Sequence, residues 1–184
     1  MTSKNDIVST SKFLSLVLRH QPHKIGLVLD EAGWVPVDQL LAKLANAGKP
    51  LRIEQLREVV QSNDKQRFGF SADGLRIRAN QGHSIDVELG LTAMDPPAVL
   101  YHGTASRFIA SVMASGLDKR QRHHVHLTAD AAIATSVGQR YGLPVLLLVD
   151  AAQMHADGHT FYRSANNVWL TDHVPVRYLK RQEP

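Results

Sequence analysis

The chain has 184 residues with ordinary apolar and charged fractions, which suits one average soluble domain or two small ones. It contains no cysteine, so disulfides, thiolate catalysis and cysteine-based zinc sites are excluded. A net charge of +4 fits a polyanionic partner, and the surplus is shared evenly by the two halves, so a phosphate site has to be built by folding rather than by a basic tail.

The amino terminus is polar and no apolar run reaches membrane-spanning length, so the expected location is cytoplasmic, with no membrane partner. Residues 11–20 carry Phe13, Leu14, Leu16, Val17 and Leu18 at helical spacing, and Pro22 ends that helix, leaving Arg19 and His20 in its last turn. A second helix is predicted with Val37, Leu40, Leu41 and Leu44 inward and Pro36 in its first turn; Gly48 and Pro50 break it. A third holds Ile53, Leu56, Val59 and Val60. The period then changes to two: Phe68 and Phe70, a turn at Ala72-Asp73-Gly74, then Leu75 and Ile77, which is a hairpin. Three helices and a hairpin follow the order of a winged helix, a module frequent in nucleic-acid binding.

Mixed polar residues from Gln81 to Pro97 mark a boundary near residue 90. The remainder is strand-rich, with strands expected near 99–102, 124–127, 144–149, 161–163, 167–170 and 175–179. Helices are expected at 105–115, capped by Thr104 and closed by Gly116, and at 129–140, capped by Thr128. The fold class is therefore α+β. It divides into residues 1–90 and 91–184. No glycine-rich nucleotide loop of Rossmann or P-loop type is present.

Four groups of residues have chemical potential. Tyr101-His102-Gly103-Thr104 ends an apolar strand with a ring donor, a small residue and a hydroxyl, an approachable place for a polar ligand. Arg19-His20 reaches past a helix end, where the dipole also favours cations. Lys65 and Arg67 precede the hairpin, and Arg76 and Arg78 lie on it, making a basic surface suited to a nucleic-acid backbone. Residues 119–126 form the densest basic segment, centred on Arg122. Its His124 and His126 share a strand face, but no third ligand stands at suitable spacing, so no metal is assigned.

Taken in order, six stretches resemble the RNA 2′-phosphotransferase family, also called tRNA 2′-phosphotransferases. They are Ser11 to His20, Asp64 to Phe68, Arg78 to Ser84, Tyr101 to Thr104, Arg122 to Leu127 and Asn167 to Leu170. The resemblance implies a winged-helix-like amino-terminal lobe that binds RNA and a carboxy-terminal lobe of the ADP-ribosyltransferase fold that binds NAD as co-substrate. It implies a catalytic set on Arg19, His20, Arg67 and Arg122, with NAD across Tyr101, His102, Gly103 and Thr104. Lys65, Arg76 and Arg78 are expected to bind substrate, an RNA such as tRNA bearing an internal 2′-phosphate. One departure is visible: Asn166-Asn167 stands where family members often have Asn-Gly. Asn tolerates positive φ, so the turn is expected to survive.

The implied reaction needs little acid–base machinery, because a phosphate dianion is already nucleophilic and nicotinamide leaves without protonation. It needs the dianion aimed and phosphoryl charge stabilised, both suited to arginine forks. No glutamate occurs between Glu88 and Glu183. Toxin-like ADP-ribosyltransferases grip the nicotinamide ribose with one, and here it would repel the phosphate, so its absence argues against protein ADP-ribosylation. Two other readings are a non-catalytic winged-helix nucleic-acid-binding protein and a transferase that uses NAD on another phosphate or a nucleic-acid end.

Overall fold

The computed structural model describes residues 4–62 and 65–182. Asp64 of the charged stretch before the hairpin lies outside the described residues. The chain forms two compact units, Met1–Gly90 and Leu91–Pro184, each a mixture of helices and small antiparallel sheets.

Unit 1 runs α1 (Lys4–Arg19), a 3-10 turn (Pro22–Ile25), β1 (Val35–Pro36), α2 (Val37–Asn46), α3 (Ile53–Gln61), β2 (Phe68–Phe70) and β3 (Arg76–Ala79). Leu14, Val17 and Leu18 of α1 are completely buried, with Leu40, Leu56, Val59 and Ile77 packed in the same core. Each such side chain contributes about 1.5–3 kcal/mol by leaving water, so the apolar stripes hold the three helices against the sheet. Gln21 leaves the helical region at φ −138°, as a residue before proline should. The sheet order is β1-β3-β2. At the hairpin tip Gly74 has φ +73°, and the Asp73 carboxylate accepts from Ser71 Oγ and Leu75 N. Pro36 departs from expectation: it precedes α2 with φ −57° and ψ 137° and pairs with Arg76 in β1. The Val37 amide donates to the Leu75 carbonyl, and that bond to the hairpin keeps Pro36 extended.

Unit 2 runs β4 (Val99–Ala105), a 3-10 turn (Ser106–Phe108), α4 (Ile109–Ser115), β5 (Leu117–Asp118), β6 (Val125–Leu127), α5 (Ala131–Gly138), β7 (Pro144–Asp150), α6 (Ala151–Ala156), β8 (Tyr162–Arg163), β9 (Trp169–Thr171), β10 (His173–Val174) and β11 (Leu179–Arg181). Its sheets are ordered β11-β7-β4, β6-β9-β8 and β10-β5. A bridge between Tyr101 and Thr128 ties β4 to the segment after β6. Leu100, Leu147, Val149, Phe161, Trp169 and Leu170 form part of its core.

Three expectations are corrected in unit 2. Thr104 does not cap a helix; it is buried inside β4, paired with Val145, and α4 begins only at Ile109. The strand runs on because Gly103 and Gly138 let α5 press against it. A Cβ on Gly103 would stand 1.6 Å from the Ala134 carbonyl oxygen, and one on Gly138 2.5 Å from that of Thr104. Thr128 does not cap α5 either: Asp130 does, accepting from Ala132 N and Ile133 N, while Thr128 Oγ1 accepts from Asp130 N. Residues 176–178 form a 3-10 turn between β10 and β11 rather than one strand. Asn167 adopts φ +61°, and the turn across Asn166-Asn167 closes through Ser164 N to the Val168 carbonyl. Among the described residues no helix is long and apolar enough to cross a membrane.

Candidate active site

In unit 1 the end of α1 meets the start of the hairpin. Arg19 donates from Nη2 to the Arg67 carbonyl at 3.3 Å, and its guanidinium lies over the Phe68 ring at 5.9 Å. A 2.9 Å hydrogen bond joins His20 Nδ1 and Ser84 Oγ, and the Ser84 amide donates to the Arg19 carbonyl. Asn80 pins the other side, its amide to the Arg67 carbonyl and its Nδ2 to that of Gln66, which is held at φ +41°. Three of the expected catalytic residues, Arg19, His20 and Arg67, are thus gathered by one hydrogen-bonded loop–helix junction. Ser84, which anchors both Arg19 and His20, received no role from the sequence.

The hairpin's register places Arg76 and Arg78 on the face opposite buried Ile77 and Ala79. Both guanidiniums lie against Trp34, at 5.6 and 4.5 Å from its ring centre. Arg76 also pairs with Asp30 at 3.7 Å, and Arg78 donates to the Ala32 carbonyl. Lys65 is exposed on the turn before β2.

In unit 2 a second polar cluster lies where β4 and β6 approach. His102 Nδ1 is 3.0 Å from the His126 carbonyl oxygen. An oxygen only accepts, so Nδ1 carries the proton and Nε2 is an acceptor. Burial of the ring holds the His102 pKa below the ordinary histidine value of 6.5, against a smaller upward pull from the bond to the His126 carbonyl; the Arg122 charge adds the least, also downward. Arg122 Nη1 lies 2.9 Å from His126 Nδ1. A guanidinium only donates, so that nitrogen is bare and His126 is the neutral Nε2–H tautomer. No carboxylate forms an ion pair with Arg122 among the described residues.

The remaining strand-end residues divide by role. Tyr101 exchanges both backbone bonds with Thr128, so Gly103, two residues on, turns its N–H and C=O to the same edge, away from β7. Gly103 therefore offers backbone on one side while α5 packs on its missing side chain. Thr104 is almost fully covered. His124 packs edge-on to Tyr162 at 5.4 Å. Among the described residues no three His, Asp or Glu groups are placed to hold a metal ion.

The family model described as "RNA 2'-phosphotransferase, Tpt1 / KptA family" matches residues 5–173. The chain is 57% identical over 180 residues to a probable RNA 2'-phosphotransferase of Rhodopirellula baltica, covering 97% of this chain and 98% of that one. It is 56% identical to a protein of the same description in Agrobacterium fabrum, covering 93% and 92%. Another in Streptomyces coelicolor is 54% identical, with 96% of each covered. With a match that spans both units and every stretch singled out above, the chain belongs to the RNA 2′-phosphotransferase family.

Proposed function

We propose that the protein is an NAD-dependent RNA 2′-phosphotransferase, in which unit 1 is a winged-helix-like lobe that engages RNA and unit 2 an ADP-ribosyltransferase-like lobe that takes NAD. The observation that carries the reading is the family relationship across residues 5–173. Two features of the residues support the NAD assignment. His102 keeps a neutral ring with an accepting Nε2, suited to a ribose hydroxyl, and Gly103 turns backbone donor and acceptor to the strand edge, suited to an amide. The reading assigns Tyr101, His102, Gly103 and Thr104 to NAD, and Arg19, His20, Arg67 and Arg122 to the phosphate chemistry. Lys65, Arg76 and Arg78 are assigned to the RNA backbone.

NAD supplies an electrophilic ribose carbon, C1″, with nicotinamide as the leaving group. In the first step a 2′-phosphate oxygen bonds to C1″ and nicotinamide departs with the electrons of the broken C–N bond. The arginines hold the dianion in line for this displacement, which costs them no proton. In the second step the ribose 2″-hydroxyl oxygen bonds to phosphorus and the RNA 2′-oxygen leaves, taking up the proton that the hydroxyl gives up. Products are 2′-hydroxyl RNA and ADP-ribose 1″,2″-cyclic phosphate. Charge gathers on the phosphoryl oxygens in this step, where planar guanidinium forks stabilise it best. Arg122 suits that task, since its charge is held by a neutral imidazole rather than cancelled by a carboxylate.

The test is product analysis with NAD and an oligonucleotide bearing one internal 2′-phosphate, in excess chelator. Nicotinamide, cyclic phosphate and 2′-hydroxyl RNA are expected without added metal. Nicotinamide release only with a terminal phosphate or a protein acceptor would instead favour the alternative transferase, and RNA binding without turnover the non-catalytic reading.

A further inference from the structure

We propose that His126 is a positioning residue, which holds the Arg122 guanidinium through an unprotonated Nδ1 and couples it to His102. The inference rests on the assignment of Arg122 to the phosphate chemistry, and it gives a specific task to a residue outside the assigned catalytic set. Val125 and Leu127 are buried on either side of His126, so the strand alternation turns its ring away from the core. The backbone of His126 is pinned to Leu170 by the β6–β9 register, and its carbonyl receives His102 Nδ1–H. Its ring receives Arg122 Nη1. One residue thus links an exposed arginine on a loop to a histidine on β4.

The chemical form of the ring matters. A carboxylate in its place would hold Arg122 more tightly but would cancel much of the charge a phosphate needs and would repel that phosphate. A neutral acceptor fixes the fork without discharging it. Protonation of Nδ1 converts the acceptor into a donor and sets two N–H groups against each other, releasing Arg122. The ionisable groups on the elements beside the ring include Arg122 and His124 from its own segment, Tyr101 and His102 from β4, and Tyr162 from β8, which packs on His124 and pairs with the Leu170 that stands opposite His126. The β9 residues Trp169, Leu170 and Thr171 bring none, and Asp172 beyond them is paired with Lys119. The acid side of the pH–rate profile is therefore where His126 should register.

Four variants and one spectrum test this. His126→Ala should slow phosphate removal roughly tenfold, chiefly in kcat. It should add almost nothing in an Arg122→Ala background, because both remove the same interaction. His126→Asn places Oδ1 where Nδ1 stood and does not titrate, so it should recover most of the rate and flatten the acid limb. His126→Gln carries its carbonyl one atom too far and should not. The 15N resonance of His126 Nδ1 should be that of a bare nitrogen and should move in Arg122→Ala. Additive losses, equal rates for Asn and Gln, or an Nδ1 shift indifferent to Arg122 would each overturn the proposal. Normal turnover in Arg122→Ala would overturn the proposed function of that arginine instead, and the nitrogen shift would still report whether the bond exists.

Discussion

The two basic clusters of this protein use arginine in opposite ways. On the unit 1 hairpin, Arg76 and Arg78 are laid on Trp34, and one is paired with Asp30 while the other is spent on the Ala32 carbonyl. In unit 2, Arg122 is held by the neutral ring of His126, with no carboxylate ion-paired to it among the described residues. The first arrangement shapes a surface and shares out its charge. The second fixes a guanidinium in place and leaves its charge for an anion. Position in the structure, rather than the count of basic residues, therefore separates an arginine suited to chemistry from one suited to docking.

The largest expected effect follows from that difference. Arg122→Ala and Arg67→Ala should each lower turnover about a hundredfold, the ~3 kcal/mol expected for losing a donor set at a developing charge. Lys at either site should recover only part, since a point charge lacks the fork. Steady-state phosphate removal checks this, and a loss as large in Arg76→Ala would erase the contrast between the clusters.

Next comes the support beneath the unit 2 cluster. Gly103→Ala puts a methyl 1.6 Å from the Ala134 carbonyl oxygen, which only a shift of α5 can relieve. A cost of about 1–3 kcal/mol or more is expected, seen as a lower thermal midpoint. An unchanged midpoint would show that α5 does not need the glycine.

On the hairpin, Arg76→Ala and Arg78→Ala should raise KM for RNA with kcat nearly kept. Each should reduce the slope of log affinity against log salt by about one. A kcat effect without a salt effect would move these residues out of the docking surface.

The smallest effect concerns His102. Its pKa is depressed in the folded chain, so between pH 6.5 and that lower value the unfolded chain binds more protons. Stability should thus be full above pH 6.5 and decline as pH falls through the window. His102→Gln should flatten that decline in thermal melts between pH 7 and pH 5. An identical pH dependence in the variant would remove His102 as its source.

Which features were readable follows from the range of the interactions that set them. The helices of unit 1 are visible because Leu14, Leu18, Leu40 and Leu56 obey a local period, and the hairpin tip because Asp73 and Gly74 carry their turn chemistry with them. The Asn167 turn was legible for the same reason. Thr104 was misread because Gly103-Thr104 looks like a turn and a cap. Only the approach of Gly138, distant in sequence, shows that the glycine serves strand–helix packing. Helix α6 is six residues long and starts directly at the end of β7, capped by Asp150, with no glycine or proline to announce it. At the site, Arg19, His20 and Arg67 are gathered as a group, yet Ser84, which closes one of the six resembling stretches, was given no role. Its role depends on a hydrogen bond across 64 residues. His126 was visible as a histidine on a strand, but its use depends on the partner its ring finds.

On this reading the arginine set acts mainly on the second, phosphoryl-transfer step. Rapid-quench sampling of Arg67→Ala with NAD and labelled RNA bearing an internal 2′-phosphate tests it most directly. RNA carrying ADP-ribose on its 2′-phosphate should accumulate before 2′-hydroxyl RNA appears. A slow first step with no such intermediate, or turnover at the wild-type rate, would contradict it.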